Sequence, residues 1–266
     1  FTDDATGLDP GIDVFPVPPV PVPEGLVREA WAKLGTFTDP LAELSGTALF
    51  LDLDIVVVDS LDPFFELPGQ FCIIHNWTHP DRIVGNSSVY RFELNTLGWV
   101  LERYCQNPLG ARERYRNEQA FLSHTLADAG VELTYWPAQW CRSFKRHCMP
   151  HRLLAPFLPA RRPESARIIV FHGNPKPQDA IRGEWKGRWR RMRPAPWIVR
   201  RMRRSVSSSM NFPRLSNSAH DLFHRTEDRS NCEKRASPVP LCCAAIRTKE
   251  GPDRCASITI AIAIST

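Results

Sequence analysis

Along the chain, runs of β-branched and aromatic residues alternate with stretches in which apolar positions return every three or four residues. Residues 48–53 and 55–58 are apolar runs of strand length, so two strands or one bent strand are predicted there. FCIIH at 71–75 and SSVYRFEL at 87–94 carry the same signature, and ARIIVFHG at 166–173 is a buried-strand run that closes on glycine. Residues 25–37, with Leu26, Ala30, Leu34 and Phe37 on one face, have helical spacing, as do residues 96–105 and 117–129. Strands mixed with helices throughout predict an α/β domain with a mostly parallel, mixed sheet flanked by helices. Near the start, FPVPPVPVP locks φ at position after position and reads as an extended connection between core elements. After about Ile198 the period is lost in an Arg-, Ser-, Pro- and Cys-rich stretch, predicting a domain over 1–198 and a disordered tail over 199–266. Within that tail SITIAIAIST reads either as a short edge strand or as an aggregation-prone peptide.

Composition narrows this picture. With 266 residues, 42% of them apolar, the chain can bury a sizeable core. No run approaches a membrane span and no signal peptide is visible at Phe1, and the missing initiator Met raises the expectation of a fragment. Eight cysteines without a C-x-x-C pair fit a reduced, cytoplasmic protein. His147, Cys148 and His151 lie close together but match no standard zinc spacing.

The net charge of +5 is local, because residues 182–204 hold ten Lys or Arg and one Glu. Without them 24 basic residues face 28 acidic ones, a net of −4, so no nucleic-acid partner is expected. Trp185, Trp189 and Trp197 alternate with arginines in that run, a composition suited to peripheral contact with an anionic membrane or to an ordinary solvated surface.

The chemistry concentrates in two places. In ALFLDLDIVVV, Asp52 and Asp54 share one face of a strand end, and buried carboxylates need a cation or hydrogen-bonded partners. Oxygen donors at the carboxyl edge of an α/β sheet suit Mg²⁺ or Mn²⁺, which would in turn neutralise nucleotide phosphates. More than a hundred residues later IIVFHGNPKP ends a strand in His172 and Gly173 and sets Lys176 between Pro175 and Pro177. Imidazole can bind a metal, glycine permits close backbone approach, and a lysine can meet a diphosphate.

D-x-D after an apolar strand, followed much later by strand-H-G-x-x-K-P, resembles the GT-A glycosyltransferases related to family 8, the group of glycogenin and the bacterial lipopolysaccharide galactosyltransferases. The resemblance spans residues 1–198. It implies a GT-A-like fold, incomplete at the N-terminus because only 51 residues precede Asp52. It also implies a bacterial enzyme moving a sugar from a nucleotide-sugar, usually a UDP-sugar, with retention, to a glycan, lipid-linked or protein acceptor. By motif, Mn²⁺ (or Mg²⁺) would be held by Asp52, Asp54 and His172, with Gly173 and Lys176 at the diphosphate. Asn86, Ser87 and Ser88 stand where the family has an Asn-small-Gly segment beside the donor sugar, without its glycine. Glu118 and Gln119 stand in place of its Asp-Gln pair near the reacting carbon, with Asn117 as an ordinary helix cap. Asp54, Glu118 and Gln119 are thereby the candidate catalytic residues.

Two other classes compete. FLDLDIV also fits the opening strand of haloacid-dehalogenase-like phosphohydrolases, which need a later strand ending in an acidic pair, whereas IIVFHG ends in His-Gly. A non-catalytic membrane-surface binder, docked through 182–204, is the third reading.

Overall fold

A computed structural model describes residues 1–199, except 3, 7, 9, 10, 27, 28, 152 and 186–191, together with 258–261. Eight strands form two sheets among these residues. The larger contains β1 (Thr47–Leu51), β3 (Phe71–His75), β4 (Gly85–Glu93), β5 (Leu133–Tyr135) and β8 (Ile258–Ala261), in the order β5-β3-β4-β1-β8. The smaller contains β2 (Ile55–Val57), β6 (Cys141–Ser143) and β7 (Ile168–Val170), in the order β2-β7-β6. Helices α1 (Asp62–Glu66), α2 (Gly98–Gln106), α3 (Pro108–Arg114), α4 (Glu118–Asp128) and α5 (Pro177–Arg182) complete a mixed α/β architecture. A π-helix, Phe144–Cys148, follows β6. None of the described helices is long and apolar enough to cross a membrane.

The expected mixed sheet is present, but parallel pairing does not dominate it. β1–β4, β3–β4 and β2–β7 are antiparallel; β1–β8, β3–β5 and β6–β7 are parallel. The β3 to β4 connection of nine residues is too short for a crossover helix and returns the chain antiparallel. The expected tail falls mostly on 200–257 and 262–266, outside the described residues, while Ile258–Ala261 takes the edge-strand alternative alongside β1.

Residues 25–37 depart from an α-helix. Glu29–Phe37 is a 3₁₀ helix, preceded by Leu26, which is exposed. Its three-residue repeat puts Trp31, Leu34 and Phe37 on one face, and all three are buried. Gly35 lets this helix lie against the proline-rich segment, since a Cβ there would come within 3.1 Å of Pro18. Helix α4 begins as expected, with the Asn117 side chain accepting from the Ala120 N–H at 3.1 Å.

Strand alternation sorts the core into layers. Ala48 and Phe50 of β1 face an aromatic cluster with Phe37, Phe71, Tyr90 and Phe92, covered by the 3₁₀ helix, α2 and α4. Leu49 and Leu51 point the other way, into a cluster with Ile74, Val89, Trp136 and, from β7, Ile168 and Val170. Ile169, between those two, belongs to a third cluster with Val56, Phe144, Phe171 and Ala180 of α5. The sheets therefore bury one apolar layer between them, each large side chain contributing about 1.5–3 kcal/mol.

Candidate functional site

The two motifs meet through their backbones. β2 pairs with β7 so that Ile55 lies opposite Val170, and the Phe171 N–H donates to the Asp54 carbonyl at 2.8 Å. The D-x-D turn between β1 and β2 thus lies beside the end of β7, immediately before His172 and Gly173. On its other side, the Asp52 N–H donates to the Ser88 carbonyl of β4 at 2.9 Å.

Each aspartate has its own lysine. Lys33 Nζ lies 2.7 Å from Asp52 Oδ2 and 3.8 Å from Glu118 Oε1, and its side chain is only 12% exposed. Lys176 Nζ lies 2.7 Å from Asp54 Oδ2, across 122 positions of sequence. Burial alone would depress Lys33, but Asp52 and Glu118 hold its ammonium above the ordinary lysine range. Burial pushes the Asp52 carboxyl up, against the pull of Lys33 and with a further push from Asp54. The rise favours a neutral acid and the short contact an ion pair; the 2.7 Å distance to an ammonium decides for the pair at neutral pH.

Around Lys33 the polar groups are closed into a network. The Ser87 hydroxyl donates to Glu118 Oε1 at 2.6 Å, and the Ser87 N–H reaches Gln119 Oε1 at 3.4 Å. Ser88 hydrogen-bonds Asp52, while its N–H donates to Asn86 Oδ1 at 3.1 Å. Asn86, Ser88, Glu118 and Gln119 are therefore brought to the Asp52 side, with Glu118 buried.

His172 stands apart from the carboxylates. Its Nε2 shares a 2.7 Å hydrogen bond with the hydroxyl of buried Ser143, and its ring stacks on Trp77 with centroids 5.6 Å apart and planes 23° from parallel. Burial, then Lys145, Arg146 and His147, lowers its pKa to about 4, so it is neutral at pH 7. Among the described residues, no three His, Cys, Asp or Glu side chains converge as a metal-binding group. Gly173 has φ +71°, a left-handed conformation, and a Cβ there would lie 3.4 Å from Lys145 Nζ. Lys176 forms the N-cap of α5, its N–H donating to Asp179 Oδ2 at 2.9 Å.

Sequence reasoning missed Lys33, Ser143 and Trp77. For Lys33 a signal existed: a lone cation between Ala30, Leu34 and Phe37 on a face predicted to be buried. Ser143 and Trp77 are placed by β6 and by the connection after β3, and no local pattern marks them. Beyond Trp77 lies a cavity of about 180 Å³, walled by Ile74, Trp136 and Pro137 as well.

No family model matches the chain, and no curated protein matches it. Among solved structures, the galactosyltransferase LgtC in complex with donor and acceptor sugar analogs is similar at 15% identity and a TM-score of 0.37, over 59% of this chain and 63% of that one. An active-site mutant of LgtC is similar at 16% identity and a TM-score of 0.38, over 59% and 64%. The chain spans less than two thirds of the length of these structures.

Proposed function

We propose that this chain is a glycosyltransferase of the GT-A type, moving a sugar from a nucleotide-sugar donor, a UDP-sugar, to a hydroxyl of a sugar-containing acceptor with retention. The observation that carries the reading is the contact between its two motifs: strand pairing sets Asp54 against Phe171, and Lys176 reaches Asp54 at 2.7 Å.

The residues present fit a divalent cation by their chemistry. Two carboxylates offer hard oxygen donors, and an imidazole whose pKa is lowered to about 4 is deprotonated, as a ligand must be. Asp52 and Asp54 would hold Mn²⁺ or Mg²⁺, and His172, expected as the third ligand, would join them only by leaving its hydrogen bond to Ser143. When bound, the cation supplies charge to offset the negative charge growing on the leaving nucleoside diphosphate.

The chain's own groups divide the remaining work. Lys33 keeps Asp52 ionised and ties it to Glu118. Lys176, half exposed, exchanges Asp54 for the diphosphate of the donor, bringing a mobile positive charge to the leaving group. The left-handed turn at Gly173 leaves backbone space for the phosphates. Gln119 and Asn86 offer amides, and Glu118 a carboxylate, to sugar hydroxyls. The cavity at Trp77, lined mainly by apolar side chains, suits the apolar face of an acceptor ring. No dedicated nucleophile stands in this arrangement, and the acceptor proton leaves with the departing phosphate. Residues 182–204, of which 186–191 and 200–204 lie outside the described residues, would hold the chain peripherally at the inner face of a membrane, near lipid-linked acceptors.

Substituting Asp54→Asn tests the assignment. Transfer from, or hydrolysis of, a UDP-sugar in the presence of Mn²⁺ should fall by at least about a hundredfold, and turnover equal to the unmodified chain would refute it. Calorimetric titration with Mn²⁺ and then UDP separates the metal site from nucleotide affinity.

A further inference from the structure

Nine large apolar side chains are exposed among the described residues, and four of them sit together: Leu153, Leu154, Phe157 and Leu158, exposed by 69, 48, 70 and 41%. Scattered exposed hydrophobics need no explanation, but a contiguous group does. This group is not a frayed end. The Leu154 and Ala155 N–H groups both donate to the His151 carbonyl, at 2.8 and 3.1 Å, and those of Phe157 and Leu158 to the Leu154 carbonyl, at 2.9 and 2.8 Å. Two successive turns are formed, with Ala155 and Ala160 buried beneath them. The base is pinned on both sides, by Arg161 N–H to the Cys148 carbonyl at 2.9 Å and by Trp197 Nε1 to the Ala160 carbonyl at 2.9 Å. The fold therefore holds four apolar side chains in water when small rotations of an unpinned segment could have hidden them.

The surroundings indicate what covers them. Residues 149–163, MPHRLLAPFLPARRP, contain no Asp or Glu. Arg161 is exposed at the foot of the turns, and Arg193, also exposed, is brought alongside by a bridge between Pro159 and Arg193. Arg162 turns inward instead, to the Val58 carbonyl at 3.2 Å, and Glu164 is the first acidic residue beyond. An apolar tip with a cationic foot matches the profile of an anionic bilayer, apolar beneath and phosphate-lined above. The tip offers on the order of 400 Å², about half of the ~800 Å² per partner that a stable protein interface buries. A bilayer imposes no such minimum.

We propose that residues 153–158 are a membrane anchor: Leu153, Leu154, Phe157 and Leu158 enter the interfacial region of a bilayer while Arg161 and Arg193 meet anionic lipid phosphates. The proposal stands independently of sugar transfer, and it adds an insertion step to the electrostatic contact proposed for 182–204.

Vesicle co-sedimentation of the full chain, without nucleotide or metal, tests it. The vesicles are pure phosphatidylcholine, or two parts phosphatidylcholine to one part phosphatidylglycerol, each at low and high salt. The unmodified chain should bind the anionic vesicles and keep a measurable bound fraction at high salt. The double variant Leu153→Ser/Phe157→Ser, altered only at exposed positions, should bind at least about tenfold more weakly at either salt. Arg161→Gln/Arg193→Gln should lose binding mainly at low salt. Circular dichroism and the urea midpoint, unchanged in both variants, exclude misfolding as the cause. Binding that disappears at high salt and is indifferent to the Ser substitutions would leave only electrostatic contact and overturn the anchor. So would failure of the unmodified chain to bind, or a concentration-dependent dimer in sedimentation velocity that the Ser substitutions dissolve, since the tip would then be a protein contact.

Discussion

Acid should weaken this fold through His172. An unfolded histidine titrates near 6.5, whereas His172 in the fold is lowered to about 4 by burial and by Lys145, Arg146 and His147. Its contribution is complete above about pH 6.5 and is lost as pH falls toward 4, because only the unfolded chain takes up the proton in that window. For a half-buried imidazole the loss is on the order of 1–2 kcal/mol after screening. Urea midpoints at about pH 7.5 and pH 4.5 should therefore differ less in His172→Gln than in the unmodified chain, and equal differences would remove the histidine from the account. Lys33→Met should cost roughly 3 kcal/mol, since it leaves Asp52 and Glu118 without their cation. Adding Asp52→Asn should restore part of that loss, a double-mutant comparison that additive effects would sink. The sequence displayed Asp52 and Asp54 because a charge inside an apolar strand contradicts its surroundings. Ser143, the partner of His172, is an ordinary residue in a three-residue strand, and only tertiary pairing makes it significant.

At the scale of elements, segments with a strong apolar run were legible, the three-residue β2 and β7 included, and short segments without one were not. β1, β3, β4 and α4 follow their apolar spacing, but β5 (LTY) and β6 (CRS) are three residues each with no β-branched apolar run to mark them. The 3₁₀ form of Glu29–Phe37 depends on Gly35 meeting Pro18, a contact between segments that no local window contains. The apolar run around the aspartates proved to be two strands in different sheets, a division set by β4 on one side and β7 on the other. Helix α5 supports Lys176 through Asp179, whose carboxylate caps the Lys176 N–H. Asp179→Ala should cost about 1 kcal/mol of stability and raise KM for the donor more than it lowers kcat, whereas an unchanged KM would separate the cap from the site.

For the molecule as a whole, the layer shared by the two sheets predicts a single cooperative unit. Ile168 is fully buried there with Leu49, Ile74 and Trp136, so Ile168→Ala should cost about 2–5 kcal/mol. Far-UV circular dichroism and tryptophan fluorescence should lose their signals together in urea, and two separated transitions would show that the sheets melt independently. The mixed α/β class followed from alternating periodicities, yet the two-sheet layout rests on pairings between residues more than a hundred positions apart. β7 lies between β2 and β6, setting Asp54 and Ser143 on either side of one short strand. A one-residue insertion just before Ile168 would preserve the ladder while delivering Phe171 to the place of His172, replacing a proton acceptor with a hydrocarbon ring. Such a frame error would silence the site without unfolding the sheet that carries it.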